Sequence, residues 1–193
     1  MPLMIRKATP NDAPLLLRVI DMASDGVVPK LWAEMAPPGM DGSRVGLSLI
    51  AAENGDFSYR NGFIAESDGL EMGGQIGYAL PTTPKPVRPD VPEVFVGIEK
   101  LTQLVPGHWY INFMAALPEC RKQGVGAKLL NEAEEQARYR SCPGLALIVA
   151  ASNESAATVY RRAGYTERAR CPFDLSDFGA EPTEALLMVK ELD

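Results

Sequence analysis

The chain has few of the residues from which disulfide frameworks and metal sites are built. Its 193 residues include one histidine and three cysteines, Cys120, Cys142 and Cys171. Three is an odd number, and no two of these cysteines have the Cys-x-x-Cys spacing of a zinc or redox motif. The sequence therefore predicts free thiols and no bound metal.

Long apolar runs are also missing. No stretch approaches the roughly 18 consecutive apolar residues of a membrane-spanning helix, and the start of the chain, Met-Pro-Leu-Met-Ile-Arg-Lys, lacks the apolar core of a secretory signal. We therefore expect a cytoplasmic protein without a membrane partner. An apolar fraction of 46% and a charged fraction of 23% are typical of a globular domain. The length suits a single domain over residues 1–193.

Positive charge is in the minority. The 19 lysines and arginines are outnumbered by 25 acidic residues, which leaves a net charge of −6. This balance argues against nucleic-acid binding and favours a cationic small molecule or a positively charged peptide as partner. The chain also has no Walker-type run ending in Gly-Lys-Ser/Thr and no Gly-x-Gly-x-x-Gly run, so a nucleotide-phosphate enzyme is a weak alternative.

Hydrophobic periodicity predicts alternating strands and helices in the first half of the chain. A strand over residues 3–8 precedes a helix that is capped within residues 9–12. Residues 27–54 favour helix, but Pro37-Pro38-Gly39 and Asp41-Gly42 interrupt them, so we expect two short helices. Residues 62–66 and 71–80 are predicted to form an antiparallel pair of strands.

Prolines dominate the connection that follows. Pro81, Pro84, Pro86, Pro89 and Pro92 prevent regular structure, whereas residues 93–104 can form helix. A connection as long as residues 81–107 is usually functional or disordered. We predict that it forms a cap on the substrate side of the domain.

The second half of the chain alternates in the same way. Strands are predicted over residues 110–117, 145–150, 165–170 and 185–191. A helix after Gly124 has its apolar residues on one stripe, and a second helix begins at the capping residue Asn153 and runs to Ala163. Gly164 can end that helix in a left-handed conformation. The apolar stripe consists of Val125, Leu129, Leu130, Ala133 and Ala137.

Residues 109–130 carry the most informative pattern. They have the order of a buried strand, a proline turn, a basic glycine-containing loop and the first turns of a helix. In the loop Arg121-Lys122-Gln123-Gly124-Val125-Gly126-Ala127, the two glycines have no Cβ to obstruct an approaching ligand, so successive backbone N–H groups can bind one anion. The helix dipole adds positive potential at the same place. The pattern predicts a pyrophosphate site.

The spacing Arg121-x-x-Gly124-x-Gly126 between an apolar strand and an amphipathic helix resembles the acetyl-CoA-binding motif of the GCN5-related N-acetyltransferase (GNAT) family. The run from Asn153 to Tyr165 is similar to a second segment of that family, in which an asparagine opens a helix and a tyrosine seven residues later, here Tyr160, faces the cofactor sulfur. The resemblance covers residues 105–170 well. It implies an α/β (α+β) fold with a mixed, mostly antiparallel sheet flanked by helices.

The resemblance also implies an activity and a set of site residues. The activity is transfer of an acetyl group from acetyl-CoA to a primary amine in a ternary complex, with residues 109–165 as the cofactor-binding core and residues 27–54 beside the acceptor. Tyr160 would act as general acid or hydrogen-bond the sulfur, and a backbone N–H of the central strand would bind the oxyanion. The implied cofactor-binding residues are Met114, Ala115, Ala116, Arg121, Lys122, Gln123, Gly124, Val125, Gly126, Ala127, Asn153 and Tyr160.

Two positions depart from the family pattern. Many relatives have glycine where this chain has Lys122, so this lysine must adopt a conformation that tolerates a side chain. Some relatives carry a glutamate base on the strand before the asparagine, whereas residues 145–150 here contain no carboxylate. Candidate bases by position are Glu99, His108, Glu66 and Glu71, and Asn112 is a candidate for positioning a water molecule. As the alternative to a base, His108 is predicted to be a solvated turn residue, because it follows Pro106-Gly107.

One alternative function stays open. A non-catalytic acyl-CoA-binding sensor would keep the pyrophosphate loop but transfer nothing, and the missing strand glutamate is compatible with it, whereas Tyr160 argues against it. The acceptor amine is left open between a small molecule and a peptide. The last strand offers an edge through which a homodimer could form.

Overall fold

The computed structural model describes residues 2–87, 89, 91–179 and 181–193. Within these ranges the chain forms seven strands and six α-helices in an alternating order. The strands are β1 (Met4–Lys7), β2 (Gly62–Ser67), β3 (Leu70–Ala79), β4 (Trp109–Ala116), β5 (Gly144–Ala150), β6 (Thr166–Phe173) and β7 (Thr183–Glu191). The helices are α1 (Ala13–Ala23), α2 (Val27–Glu34), α3 (Gly42–Ala51), α4 (Glu93–Thr102), α5 (Val125–Tyr139) and α6 (Glu154–Arg162).

The strands form one sheet in the order β1-β2-β3-β4-β5-β7-β6. The expectation that the last strand offers an edge is wrong, because β7 pairs with β5 on one side and with β6 on the other. The pairs β1–β2, β2–β3, β5–β7 and β6–β7 are antiparallel. The pair β4–β5 is parallel and runs from Trp109 opposite Leu145 to Ile111 opposite Leu147, which covers only the first part of β4. The predicted mixed, mostly antiparallel sheet flanked by helices is therefore confirmed.

The chain divides into two compact units. The first contains the residues up to Tyr78 together with Asn112–Glu132, and the second contains Ala79–Ile111 and Ala133–Asp193. The division falls within β4 after Ile111 and within α5 after Glu132. The single domain over residues 1–193 stays a prediction.

Local signals account for the helices of the first unit. Asp12 ends a short 3₁₀ turn, and its carboxylate accepts hydrogen bonds from Thr9 and from both terminal nitrogens of Arg6, at 2.7 and 2.9 Å. In α1, buried side chains recur at helical spacing. The predicted pair of short helices is confirmed as α2 and α3, and the side chain of Asp41 caps α3 by accepting from the Arg44 N–H at 2.8 Å.

Four further predictions are confirmed between residues 93 and 164. Within the proline-rich connection, the helix expected over residues 93–104 is α4. Asn153 caps α6 because its Oδ1 accepts from the Ala156 N–H at 3.1 Å. Gly164 follows α6 in the left-handed conformation, with φ of +93°. The apolar stripe of α5 is buried over its whole length, from Val125 to Ala137.

Candidate functional site

The predicted pyrophosphate site is a short connection between β4 and α5 in the first unit. After β4, the Leu117 N–H donates to the Met72 carbonyl at 2.9 Å, which attaches the strand end to β3. A 3₁₀ turn, Pro118–Cys120, then reverses the chain, and α5 begins at Val125. The four residues between turn and helix, Arg121 to Gly124, are all exposed. The loop is therefore held at both ends while its middle is open to a ligand.

The loop has unusual backbone conformations at two positions. Gly124 has φ of +82°, which favours glycine, and Lys122 has φ of +60° although it carries a side chain. Lys122 therefore adopts the left-handed conformation at the position where many relatives have glycine. This conformation is less favourable for lysine than for glycine.

Gly126, the second residue of α5, needs a different explanation. Its φ lies outside the left-handed range, and a Cβ built on it would meet no atom within 4 Å. A Cβ on Gly124 would likewise have open space around it. Packing within the protein therefore does not require a glycine at position 126. The space that its missing side chain leaves faces outward, where a ligand can use it.

The electrostatics of the loop suit an anion. Arg121 and Lys122 are exposed beside the N-terminus of α5, where the first N–H groups have no acceptor within the helix. The positive end of the helix dipole lies at the same place. The side chain of Gln123 donates to the Glu119 carbonyl at 3.1 Å, which braces the loop against the preceding turn. These residues fit a pyrophosphate group bound by backbone N–H groups.

Buried residues of β2 and β3 pack against this connection and the start of α5. Met72 and Ala65 pack with Val125 and Leu129 of α5, and Met114, Ala116 and Cys120 lie against the same cluster. A Cβ on Gly73 would clash with the Ala115 carbonyl oxygen, so β3 approaches the end of β4 more closely than a side chain allows. Gln75, which no sequence pattern singles out, is fully buried and donates from Nε2 to the Leu129 carbonyl at 3.0 Å.

Aromatic side chains contact one another elsewhere in the first unit. The Phe57 and Phe113 rings stack with centroids 5.7 Å apart, and Trp32 of α2 meets Phe57 edge-on at 5.1 Å. Phe113 precedes Met114 on β4, so the two side chains point to opposite faces of the strand. Met114 packs in the α5 cluster, so the aromatic group lies on the other face of β4.

Tyr160 and Asn153 lie on and before α6 in the second unit. Tyr160 is half-buried, and its ring centroid is 6.0 Å from that of Tyr165. Burial raises the pKa of Tyr160 to about 12, so its hydroxyl is protonated at neutral pH and can donate a hydrogen bond. Asn153 is exposed, and its Oδ1 also accepts from the Ser155 hydroxyl at 3.1 Å.

The expectation that His108 is a solvated turn residue is wrong. Its side chain is buried, with Nε2 3.3 Å from Glu191 Oε2 and Nδ1 3.2 Å from the Pro106 carbonyl oxygen. The reason is that Gly144 and the end of β7 close over it, since a Cβ on Gly144 would lie 3.0 Å from the imidazole. Both ring nitrogens thus lie near oxygen atoms of the protein.

The carboxylate candidates for a base lie in different surroundings. Glu99 is half-buried on α4. In the first unit, Glu66 is ion-paired with Arg6 at 2.7 Å, whereas Glu71 is exposed. Asn112, the candidate for positioning a water molecule, is half-buried. No base is identified by these positions, and the role of each of these residues stays a prediction.

The cysteines, the possible metal ligands and the helices of the described part of the chain bear on metal binding and on membrane insertion. The three cysteines are free, as predicted, and half-buried. Among residues 2–87, 89, 91–179 and 181–193, no group of three or more histidine, cysteine or acidic side chains could hold a metal ion. None of the helices in those ranges is long and apolar enough to cross a membrane.

Comparison with known proteins gives a family and a fold. A family model described as "Acetyltransferase (GNAT) family" matches residues 62–165, which is more than half of the chain. The N-acetyltransferase from Staphylococcus aureus Mu50 is 18% identical, with 96% of this chain and 99% of that chain covered at a TM-score of 0.67. No protein of curated function matches the sequence.

Two further solved structures are similar. Ribosomal-protein-alanine N-acetyltransferase from Brucella melitensis is 23% identical over 98% of this chain and 99% of that one, with a TM-score of 0.61. A GNAT family acetyltransferase from Elizabethkingia anophelis with acetyl-CoA bound is 16% identical, covering 68% of this chain and 75% of that one, at a TM-score of 0.51. At such identities the likeness shows a shared fold.

Proposed function

Because the chain belongs to the GNAT family of acetyltransferases, we propose that it transfers the acetyl group of acetyl-CoA to a primary amine of a small molecule or peptide. The observation that carries this proposal is the open, basic connection before α5. Its Gly126 has a position that protein packing does not explain, and a pyrophosphate bound by the helix N-terminus would explain it.

The residues that would hold coenzyme A follow from the loop. Backbone N–H groups of Gln123–Ala127 would bind the pyrophosphate, and Arg121 and Lys122 would add charge. The backbone of Met114–Ala116 would bind the pantetheine arm. Asn153 caps its own helix and would contact the arm in addition.

Acetyl-CoA supplies an activated thioester, which leaves three tasks to the protein. The amine must be neutral to attack, and an amine with a lysine-like pKa near 10.4 is almost wholly protonated at pH 7, so a base or a water chain must take its proton. Glu99 and His108 are the proposed side chains for this task. A backbone N–H within Met114–Ala116 would stabilise the oxyanion. Direct attack in a ternary complex needs no covalent enzyme intermediate, so no cysteine is assigned a role.

Tyr160 is proposed to assist the departing sulfur. Full proton transfer from a hydroxyl with a pKa of about 12 to a thiolate with an ordinary thiol pKa near 8.5 is uphill by about 5 kcal/mol. A hydrogen bond from Tyr160 to the developing thiolate is therefore the better role, with the final proton coming from solvent.

The proposed acceptor is a class of amines and not a single compound. The net charge of −6 favours a cationic amine. Two structures with the same fold have a protein or a peptide in their names, the ribosomal-protein-alanine N-acetyltransferase and a NatC complex bound to Gag peptide and CoA. Peptide N-termini therefore belong in the screen beside polyamines, amino acids and aminoglycosides. We also propose a cytoplasmic location, no nucleic-acid or membrane partner, and a homodimer as the oligomer to test.

The test is thiol release from acetyl-CoA in the presence of a panel of amines. The proposed enzyme releases thiol with at least one amine and more slowly with water alone. Saturable acetyl-CoA binding without thiol release on the whole panel would favour the sensor alternative. Gly124→Trp, which fills the open space of the loop, serves as the binding-deficient control.

A further inference from the structure

Gln75 has an unusual environment for an amide side chain. It lies in the middle of β3, opposite Phe63 of β2, and is fully buried. Its Nε2 donates to the Leu129 carbonyl oxygen at 3.0 Å. That carbonyl can only accept, so the bond fixes which end of the amide faces α5. The other end, Oε1, is buried without a hydrogen-bond partner among the described residues.

A buried amide that is half satisfied is unfavourable for folding. An apolar side chain of similar size would fill the same space without an unpaired oxygen. Stability alone therefore does not explain the glutamine. The feature that a leucine or methionine would lose is the hydrogen bond to α5.

The place where this bond attaches is close to the loop. Leu129 is four residues after Val125, the first residue of α5, which is about one helical turn or 6 Å along the axis. On the same segment of β3, Met72 accepts from the Leu117 N–H and Gly73 lies against Ala115. Residues 72–75 thus contact the strand before the loop and the helix after it.

Apolar packing alone does not prevent small shifts of α5 along its axis. The cluster of Ala65, Met72, Val125 and Leu129 is non-directional, so it resists separation of α5 from β3 more than small shifts along the helix axis. A hydrogen bond to one carbonyl is directional and resists such shifts. Gln75 supplies that bond.

We propose that Gln75 is a positioning residue for the cofactor site. It fixes the first turns of α5 along the helix axis and thereby sets where the N–H groups of Val125, Gly126 and Ala127 lie. The inference rests on the proposed function, because it assumes that these N–H groups bind the pyrophosphate of acetyl-CoA.

The test compares Gln75→Leu with wild type in acetyl-CoA binding and in steady-state kinetics. We expect a rise of about 10-fold in Kd and in KM for acetyl-CoA, as misplacement by a fraction of an ångström allows. We expect kcat and KM for the amine to change less than twofold, and the melting temperature to stay or rise. The matched control is Ile76→Val, which shortens a fully buried side chain on the other face of the same strand. It should lower stability and leave Kd unchanged.

The outcomes separate the two proposals. Wild-type protein that does not bind acetyl-CoA would refute the proposed function itself. Wild-type binding together with a Gln75→Leu Kd within twofold of it would overturn only the positioning role, and so would a loss confined to kcat. If Gln75→Leu does not fold, Gln75→Met, whose flexible chain has a similar length, takes its place under the same criteria. Should neither fold, the amide is required for stability and the inference is wrong.

Discussion

Gly126→Ala is expected to stabilise the fold and to weaken acetyl-CoA binding. Gly126 is the second residue of α5, its φ is outside the left-handed range, and an added Cβ would meet no atom within 4 Å. Alanine is therefore accommodated without strain. Since alanine exceeds glycine in helix propensity by up to about 1 kcal/mol, and by less in a first turn, we expect a gain of about 0.5 kcal/mol in the free energy of unfolding.

The same Cβ would point into the space assigned to the pyrophosphate. It would lengthen or break one hydrogen bond between a backbone N–H and a charged oxygen, each worth about 1.5–3 kcal/mol. Because 1.4 kcal/mol corresponds to a factor of ten, the Kd for acetyl-CoA should rise about 10- to 100-fold.

Thermal melting and isothermal titration measure the two effects. For a chain of this size, 0.5 kcal/mol corresponds to about 1–2 °C in melting temperature. Asn131→Ala is the control, because it raises helix propensity on the exposed face of the same helix and should leave the Kd unchanged. A stabilised Gly126→Ala protein that binds acetyl-CoA as tightly as wild type would refute the assignment of the loop.

Three further substitutions have defined outcomes. Lys122→Gly relieves a left-handed lysine, and after the larger unfolded-state entropy of glycine is subtracted it should stabilise the fold by about 0.5 kcal/mol; acetyl-CoA binding should weaken at low salt and much less at high salt. Tyr160→Phe should lower kcat about 10- to 100-fold with little change in Kd. Because the pKa of Tyr160 is raised to about 12, the tyrosine ionises first in the unfolded chain, and wild type should lose stability as the pH rises above about 10. The melting temperature of Tyr160→Phe should fall less than that of wild type over this pH range. Asp12→Asn should lower the free energy of unfolding by about 1–2 kcal/mol at pH 7, after allowance for the partly exposed Arg6. Because the Arg6 hydrogen bond holds the pKa of Asp12 at about 2, this difference from wild type should shrink as the pH falls from about 4 to 2. An unchanged difference at pH 2 would contradict the stabilising role of the Arg6–Asp12 pair.

Features with local causes could be predicted from the sequence. The cap at Asn153 and the left-handed Gly164 each depend on a few neighbouring residues, and both were confirmed. The buried stripe of α5 follows from 3.6-residue periodicity, which the chain shows without ambiguity. The loop Arg121–Ala127 could be located for the same reason, because a strand, glycines and a helix follow one another directly in sequence.

Features that depend on distant parts of the chain could not be predicted. Gln75 lies among glycines in a strand, and its burial and its bond to Leu129 arise from packing across 54 positions. His108 was expected in solvent because of Pro106-Gly107, but it is covered by Gly144 and approached by Glu191, 83 positions away. The general base is the remaining case, since neither a motif nor a position identifies it.

Isothermal titration of the purified wild-type protein with acetyl-CoA tests the central claim most directly. We predict saturable one-to-one binding at micromolar concentrations that Gly124→Trp abolishes while the variant remains folded. Absence of binding by the wild-type protein, or equal binding by Gly124→Trp, would contradict the assignment of residues 121–127 as the acetyl-CoA site.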